Sequence, residues 1–163
     1  MLSLIKPFDI VVFDAVSKNI LHDLIEWRSI DAAVHCAVVK DTSGRLYDPD
    51  FKGIVETSIL DYASRYKTIV RYNRYFDDAK LAAWCDSTVA ASTGYDYKQW
   101  LFGFVLGIAK EKLANDPNKW TCAEFPYWMF QENGYKLTLK DELLPMPRLF
   151  KFNTNFNLVY KGK

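Results

Sequence analysis

Glycine and proline are scarce in this 163-residue chain, with 7 and 6 copies that are scattered rather than clustered. Their thin spread excludes a collagen-like repeat or a flexible linker. No internal repeat or low-complexity tract appears, so residues 1–163 read as a single domain. Cysteine is scarcer still. Cys36, Cys85 and Cys122 are an odd number at wide spacings, which offers neither a disulfide framework nor a CxxC metal pair and favours a reducing compartment. Charge of one sign is also missing: 21 Lys plus Arg stand against 20 Asp plus Glu. Without a field to gather phosphates or anionic lipid, no nucleic-acid partner is expected. The apolar opening is interrupted by Lys6, Pro7 and Asp9 before it reaches the length of a signal-peptide core or a membrane span. Neither a signal peptide nor stable membrane insertion is expected from it.

What the chain has in quantity is apolar and aromatic side chain, 50% and 16% of its residues, enough to fill a core at this length. Residues 8–13, FDIVVF, form a short apolar run and predict a buried strand. The apolar spacing then becomes helical over 15–28 and returns to strand character over 32–40. A turn signal at 41–44, DTSG, joins this strand to RLYDP, which Pro49 is expected to close, giving a hairpin. ETSILDYASRY suggests a short helix starting near Thr57 or Ser58. KTIVRYNRY reads as a strand and residues 77–92 as a helix. Residues 95–113 are strongly apolar and helical in pattern, although Gly103 and Gly107 weaken a single straight helix. A further helix in TCAEFPYWMFQENGY should stop at Gly134. The segments LLPMPRLFKF and FNLVY are expected to be extended, with Pro145 and Pro147 opposing a helix. The sum is an α+β domain with an antiparallel hairpin near its start.

Only two histidines are present, His22 and His35, so any cysteine–histidine chemistry must draw on them. His22 sits on the first expected helix and reads as a solvated or capping side chain. Strand alternation sends His35 to one face, flanked by Ala33 and Ala37, and sends Cys36 to the other. Cys36 therefore reads as core packing, as does Cys85. Cys122 has a different setting. Thr121 to Glu124 spell the T-x-x-E of a capping box, which would make Thr121 the N-cap and Cys122 the first helical residue. Unpaired backbone N–H groups at that position favour a thiolate, and a neighbouring imidazole would take its proton. Pro126 would remove the amide that bonds back to the Cys122 carbonyl, so the first turn is expected to be distorted. A carboxylate to hold the imidazole in one tautomer could come from Asp48 or Asp50, depending on a hairpin register that sequence does not fix.

The order of these segments resembles the circularly permuted papain-like cysteine hydrolases of the NlpC superfamily, the YiiX-like group that includes relatives of lecithin:retinol acyltransferase. PFDIVVF is similar to the family's opening G-D-I strand, with Pro7 and Phe8 where glycine is usual, and VHCAVV resembles its S-H-V-G-I-V strand. RLYDPDFKGIVETSI looks like the segment that carries the third polar residue, which the match places at Asp48 with Asp50 as runner-up. The most specific part runs from Gly94 to Phe125 and resembles phage and prophage members, in which a W-x-C-S-E motif closes the segment; Ala123 stands here where serine is usual. The resemblance covers roughly residues 7 to 140.

The resemblance implies a permuted papain-like, NlpC-type fold: a central antiparallel sheet flanked by helices, with the catalytic cysteine at a helix N-terminus. It implies a cysteine hydrolase that cleaves an amide bond in a peptide or cell-wall peptide through a covalent acyl-enzyme. Cys122 would be nucleophile, His35 base and then acid, and Asp48 the orienting group. Tyr95, Tyr97 and Asp50 are placed as substrate-binding residues. No cofactor and no metal are expected. The implied partners are a peptide or acyl substrate and a phage particle or host protein, in the cytoplasm of a bacterial host or on the virion. The alternatives are a phage binding or structural module of the same fold without turnover, and an ester or thioester acyl hydrolase or acyltransferase.

Overall fold

The computed structural model describes residues 1–15, 32–96, 118–137 and 145–163. The helix expected over 15–28, with His22, falls outside the described residues apart from its first position. So does most of the segment 95–113, with Tyr97.

Among the described residues, six strands form one antiparallel sheet. In chain order they are β1 (Ile10–Asp14), β2 (Ala33–Val39), β3 (Arg45–Asp50), β4 (Gly53–Ser58), β5 (Lys67–Tyr72) and β8 (Phe156–Gly162), and in space they run β4-β3-β2-β1-β5-β8. Two short segments, β6 (Gly94–Tyr95) and β7 (Lys119–Trp120), pair in parallel beside it. Among the described residues the helices are α1 (Asp78–Ala91), α2 (Glu124–Glu132) and α3 (Pro147–Phe152). The α+β class expected from the sequence is the one observed.

Period-two burial divides the core between the two faces of the sheet. Ile10, Val12, Cys36 and Val38 face Leu81 and Cys85 of α1, Phe125, Met129 and Phe130 of α2, and Phe150 of α3. Val11, Phe13, Ala37, Val39, Leu46 and Ile69 face the other way, under Ile5 and Ile59. A fully buried Phe such as Phe130 contributes about 1.5–3 kcal/mol in transfer free energy. The helices on the first face are thus fastened mainly by aromatic side chains.

Three local expectations change. Pro49 does not close β3, which continues to Asp50 and pairs Pro49 with Ile54. The ladder from β2 reaches β3 only at Val38 and Val39, so Pro49 sits where the strand is paired on one side and its missing N–H is tolerated. The short helix expected to start near Thr57 or Ser58 does start at Ser58, but both residues also end strand β4 and the helix is a single turn. The chain then makes one 3₁₀ turn, Ile59–Tyr62, capped reciprocally by Ser58 and Asp61. Pro147 begins α3 instead of forbidding it. At the first helical position a proline forfeits an N–H that has no helical partner, and its fixed φ suits the turn.

The entrance to β1 is held by charge and by an unusual backbone. Asp9 is buried and bonds Arg71 through both oxygens, Nε to Oδ1 at 2.7 Å and Nη2 to Oδ2 at 2.8 Å. Phe8 beside it has φ +67, in the left-handed region. Its ring is buried and meets Phe76 edge-on at 5.9 Å, so core packing offsets the backbone cost.

Candidate active site

β2 and β3 part company below the Val38–Tyr47 pair, and the candidate site lies at this opening. His35, on β2, donates from Nε2 to Oδ1 of Asp48 on β3 at 2.6 Å. The other carboxylate oxygen, Oδ2, accepts from Thr57 Oγ1 at 2.9 Å and from the Tyr62 hydroxyl. Asp48 is thus saturated with donors, and its side chain is only 2% exposed. The imidazole is 20% exposed and lies nearly parallel to Phe13, with ring centroids 5.8 Å apart. Phe13 in turn meets Tyr62 at 4.4 Å. The ring of His35 is therefore fixed at its edge by Asp48 and on its face by Phe13.

Cys122 approaches from the turn that leads into α2, on the opposite face of the sheet. The capping box expected there is formed: Glu124 N–H bonds Thr121 Oγ1 at 3.2 Å and Thr121 N–H bonds Glu124 Oε2 at 3.1 Å. Phe125 N–H already reaches the Thr121 carbonyl at 3.3 Å. Regular helix nevertheless begins only at Glu124, not at Cys122 as expected, because Pro126 has no N–H to return to the Cys122 carbonyl. That carbonyl accepts instead from Cys36 Sγ at 3.0 Å. Cys122 is 6% exposed, lies near enough to His35 for each to shift the other's titration, and its Sγ is 3.8 Å from the Tyr95 hydroxyl.

These contacts set the protonation states. Burial alone would lower the basicity of His35, but the bond to Asp48 and then the Cys122 thiol override it and raise the pKa to about 10. Cys122 moves well below its ordinary value, through the hydrogen bond from Cys36 first, against the opposing effect of burial, and then through His35. Burial would raise the Asp48 pKa, but His35, Tyr62 and Thr57 hold it low. Burial pushes Cys36 and Cys85 up. The directions of these shifts favour thiolate and imidazolium at Cys122 and His35 beside an ionised Asp48, and keep the other two thiols protonated.

Of the residues singled out from sequence, Cys122, His35, Asp48 and Tyr95 come together. Asp50 does not bond the imidazole; its Oδ1 accepts from Phe51 N–H at 2.6 Å, within its own turn. Sequence reasoning missed Thr57 and Tyr62, the two further donors to Asp48. The alternation that put Leu46 and Asp48 on one face of β3 also puts Thr57, paired with Leu46, on that face, but only with the register known. It also set Cys36 aside as core. Cys36 is buried, as expected, yet it touches the backbone of Cys122 because Cys122 arrives from the face that Cys36 looks toward.

The whole architecture has a solved counterpart. The fold is the one seen in YiiX. The crystal structure of the metalloprotein YiiX from Escherichia coli O157:H7 superposes with a TM-score of 0.68, covering 96% of this chain and 97% of that one at 12% sequence identity. At that identity the likeness to YiiX is one of fold. No protein-family model matches the sequence, and no curated protein matches it either. Among the described residues, no helix is long and apolar enough to cross a membrane.

Proposed function

We propose that the protein is a cysteine hydrolase of permuted papain-like, NlpC-type fold that cleaves an amide bond through a covalent acyl-enzyme. The observation that carries this reading is the His35–Asp48 pair at the opening between β2 and β3, with Cys122 close enough to titrate together with the imidazole. Two details support the kinship as well as the chemistry. Phe8 occupies the place of the family's usual glycine and adopts the positive φ that glycine adopts without cost. The histidine strand precedes the cysteine helix in the chain, as the permuted order requires.

The Cys122 thiolate attacks the carbonyl carbon, forming a C–S bond and a tetrahedral oxyanion. In this reading the backbone N–H of Cys122 receives the oxyanion, and the hydroxyl of Tyr95, 3.8 Å from Cys122 Sγ, supports it as the second donor. Collapse breaks the C–N bond, and the imidazolium of His35 gives its proton to the departing amine. Neutral His35 then takes a proton from water, which attacks the acyl carbon. The C–S bond breaks, the acid leaves, and thiolate and imidazolium are restored. Asp48 stays ionised and holds the ring with Nε2 protonated, so that Nδ1 is the nitrogen that works.

YiiX is described as a metalloprotein. The residues here do not fit a metal: Asp48 already occupies His35 Nε2, and no group of three or more His, Cys, Asp or Glu among the described residues could hold an ion. No step is routed through one.

A phage-associated role, with a peptide or cell-wall peptide as substrate, completes the reading. The deciding experiment is labelling with an electrophilic acyl probe followed by mapping of the modified residue. Modification at Cys122 that disappears in Cys122→Ala supports the acyl-enzyme; an unlabelled protein whose phenotype survives that substitution is a binding module instead.

A further inference from the structure

In an unbroken helix the carbonyl of residue 122 would bond the N–H of residue 126. The neighbouring bonds of that first turn are present, Phe125 N–H to Thr121 and Tyr127 N–H to Ala123, each at 3.3 Å. Only the bond in between is lacking, because residue 126 is proline. A buried carbonyl left without a donor is costly, and here the donor comes from another element, Cys36 Sγ at 3.0 Å.

We propose that Cys36 is a positioning residue for the nucleophile: its thiol replaces the helical hydrogen bond that Pro126 withholds and ties the backbone of Cys122 to the strand that carries His35. The inference rests on the reading of Cys122 as nucleophile. His35 and Cys36 are consecutive on β2, paired with Phe13 and Val12 of β1. The proton acceptor and the backbone tie therefore refer to adjacent Cα atoms of one rigid strand. A peptide at residue 122 that could rotate would carry both Sγ and the neighbouring N–H off line, and an offset of about 1 Å is enough to cost a reaction heavily.

Cysteine suits this place. Its body packs in the core between sheet and helices, where it has no exposed surface, and its S–H supplies a weak donor. Burial keeps the thiol protonated, so it donates and does not compete as a nucleophile.

The test compares the pH dependence of Cys122 alkylation by iodoacetamide, read by mass at residue 122, in the full chain and in three variants. Cys36→Val keeps apolar bulk and removes the donor; Cys36→Ser keeps a donor; Cys36→Val with Pro126→Ala restores a helical N–H to the Cys122 carbonyl. The expected result is a fall of about tenfold in rate at pH 7 for Cys36→Val, with most of it recovered in each of the other two. If Cys36 only packs, the order reverses: valine is harmless, serine harmful, and Pro126→Ala gives nothing back, which overturns the proposal. Should Cys36→Val not fold by circular dichroism, Cys36→Ala with and without Pro126→Ala makes the same comparison. Thermal midpoints read the tie without reference to reactivity, and recovery by Pro126→Ala is expected there too. A wild-type Cys122 that alkylates no faster than Cys85 defeats the nucleophile reading, while the midpoints still decide the tie.

Discussion

His35 and Asp48 meet at 2.6 Å across two strands that are no longer paired at that level. Because the β2–β3 ladder ends at Val38 and Tyr47, a side chain from the opposite face of the sheet can reach the imidazole. The gap between the strands is what brings Cys122, on the helix face, to a histidine that stacks on Phe13 on the other.

One thiol of the three is expected to be reactive. At pH 7 Cys122 should alkylate roughly a hundredfold faster than Cys36 or Cys85, since its pKa is depressed and theirs are raised. His35→Ala should slow Cys122 and move its apparent pKa back toward 9.0. Equal labelling of all three in the native protein would end the assignment.

Asp48→Asn keeps the shape of the site and removes the charge that holds His35 at about 10. The alkaline limb of the pH–rate profile should shift to lower pH, and kcat/KM should fall by about 10²–10⁴-fold, the range associated with general acid–base groups. An unmoved alkaline limb would show that another group sets it.

Tyr62→Phe leaves the ring against Phe13 and deletes one donor to a buried carboxylate. A loss of about 1–3 kcal/mol is expected in urea unfolding, together with a raised His35 pKa visible by NMR titration, because the carboxylate then gives more of its charge to the imidazolium. Stability lost without any change at His35 would assign Tyr62 to packing alone.

Between pH 6.5 and 9.0 the site should contribute no pH slope to stability. The unfolded chain carries the proton on the thiol and the folded one carries it on the imidazole, so folding moves a proton without binding one. In Cys122→Ser only His35 remains to titrate, with Asp48 raising its pKa against the lowering effect of burial. A raised folded pKa gives stability that is full below 6.5 and is lost as pH rises toward the folded value. The urea midpoint of Cys122→Ser should therefore fall relative to wild type from pH 6.5 to 9.0. Parallel curves would argue against the ion pair.

Arg71→Leu strands Asp9, which is buried at the entrance to β1. A destabilisation of about 3 kcal/mol is expected, and the thermal midpoint measures it; a shift of under one degree would mean that Asp9 is neutralised by other means.

Much of the candidate site was legible because it rests on short-range rules. Alternation placed His35 and Cys36 on opposite faces of β2, and T-x-x-E predicted a capping box that is present at Thr121 and Glu124. Pro126 announced a defect in the first turn, and the helix does begin late. Pro147 misled because a proline's effect depends on whether it enters a helix or interrupts one, and only the fold shows which.

The sequence alone determined the periods of β1, β2, β5 and of the helix at 78–91, the α+β class, and a short set of polar candidates, since each depends on neighbours within a few residues. Only tertiary structure decided between Asp48 and Asp50, because that choice is a register between strands and a shift of one residue turns a side chain to the other face. It alone recruited Thr57, Tyr62 and Cys36. Their partners lie far along the chain, and no local pattern records that a thiol on β2 completes a hydrogen bond missing from a helix on the other side of the sheet.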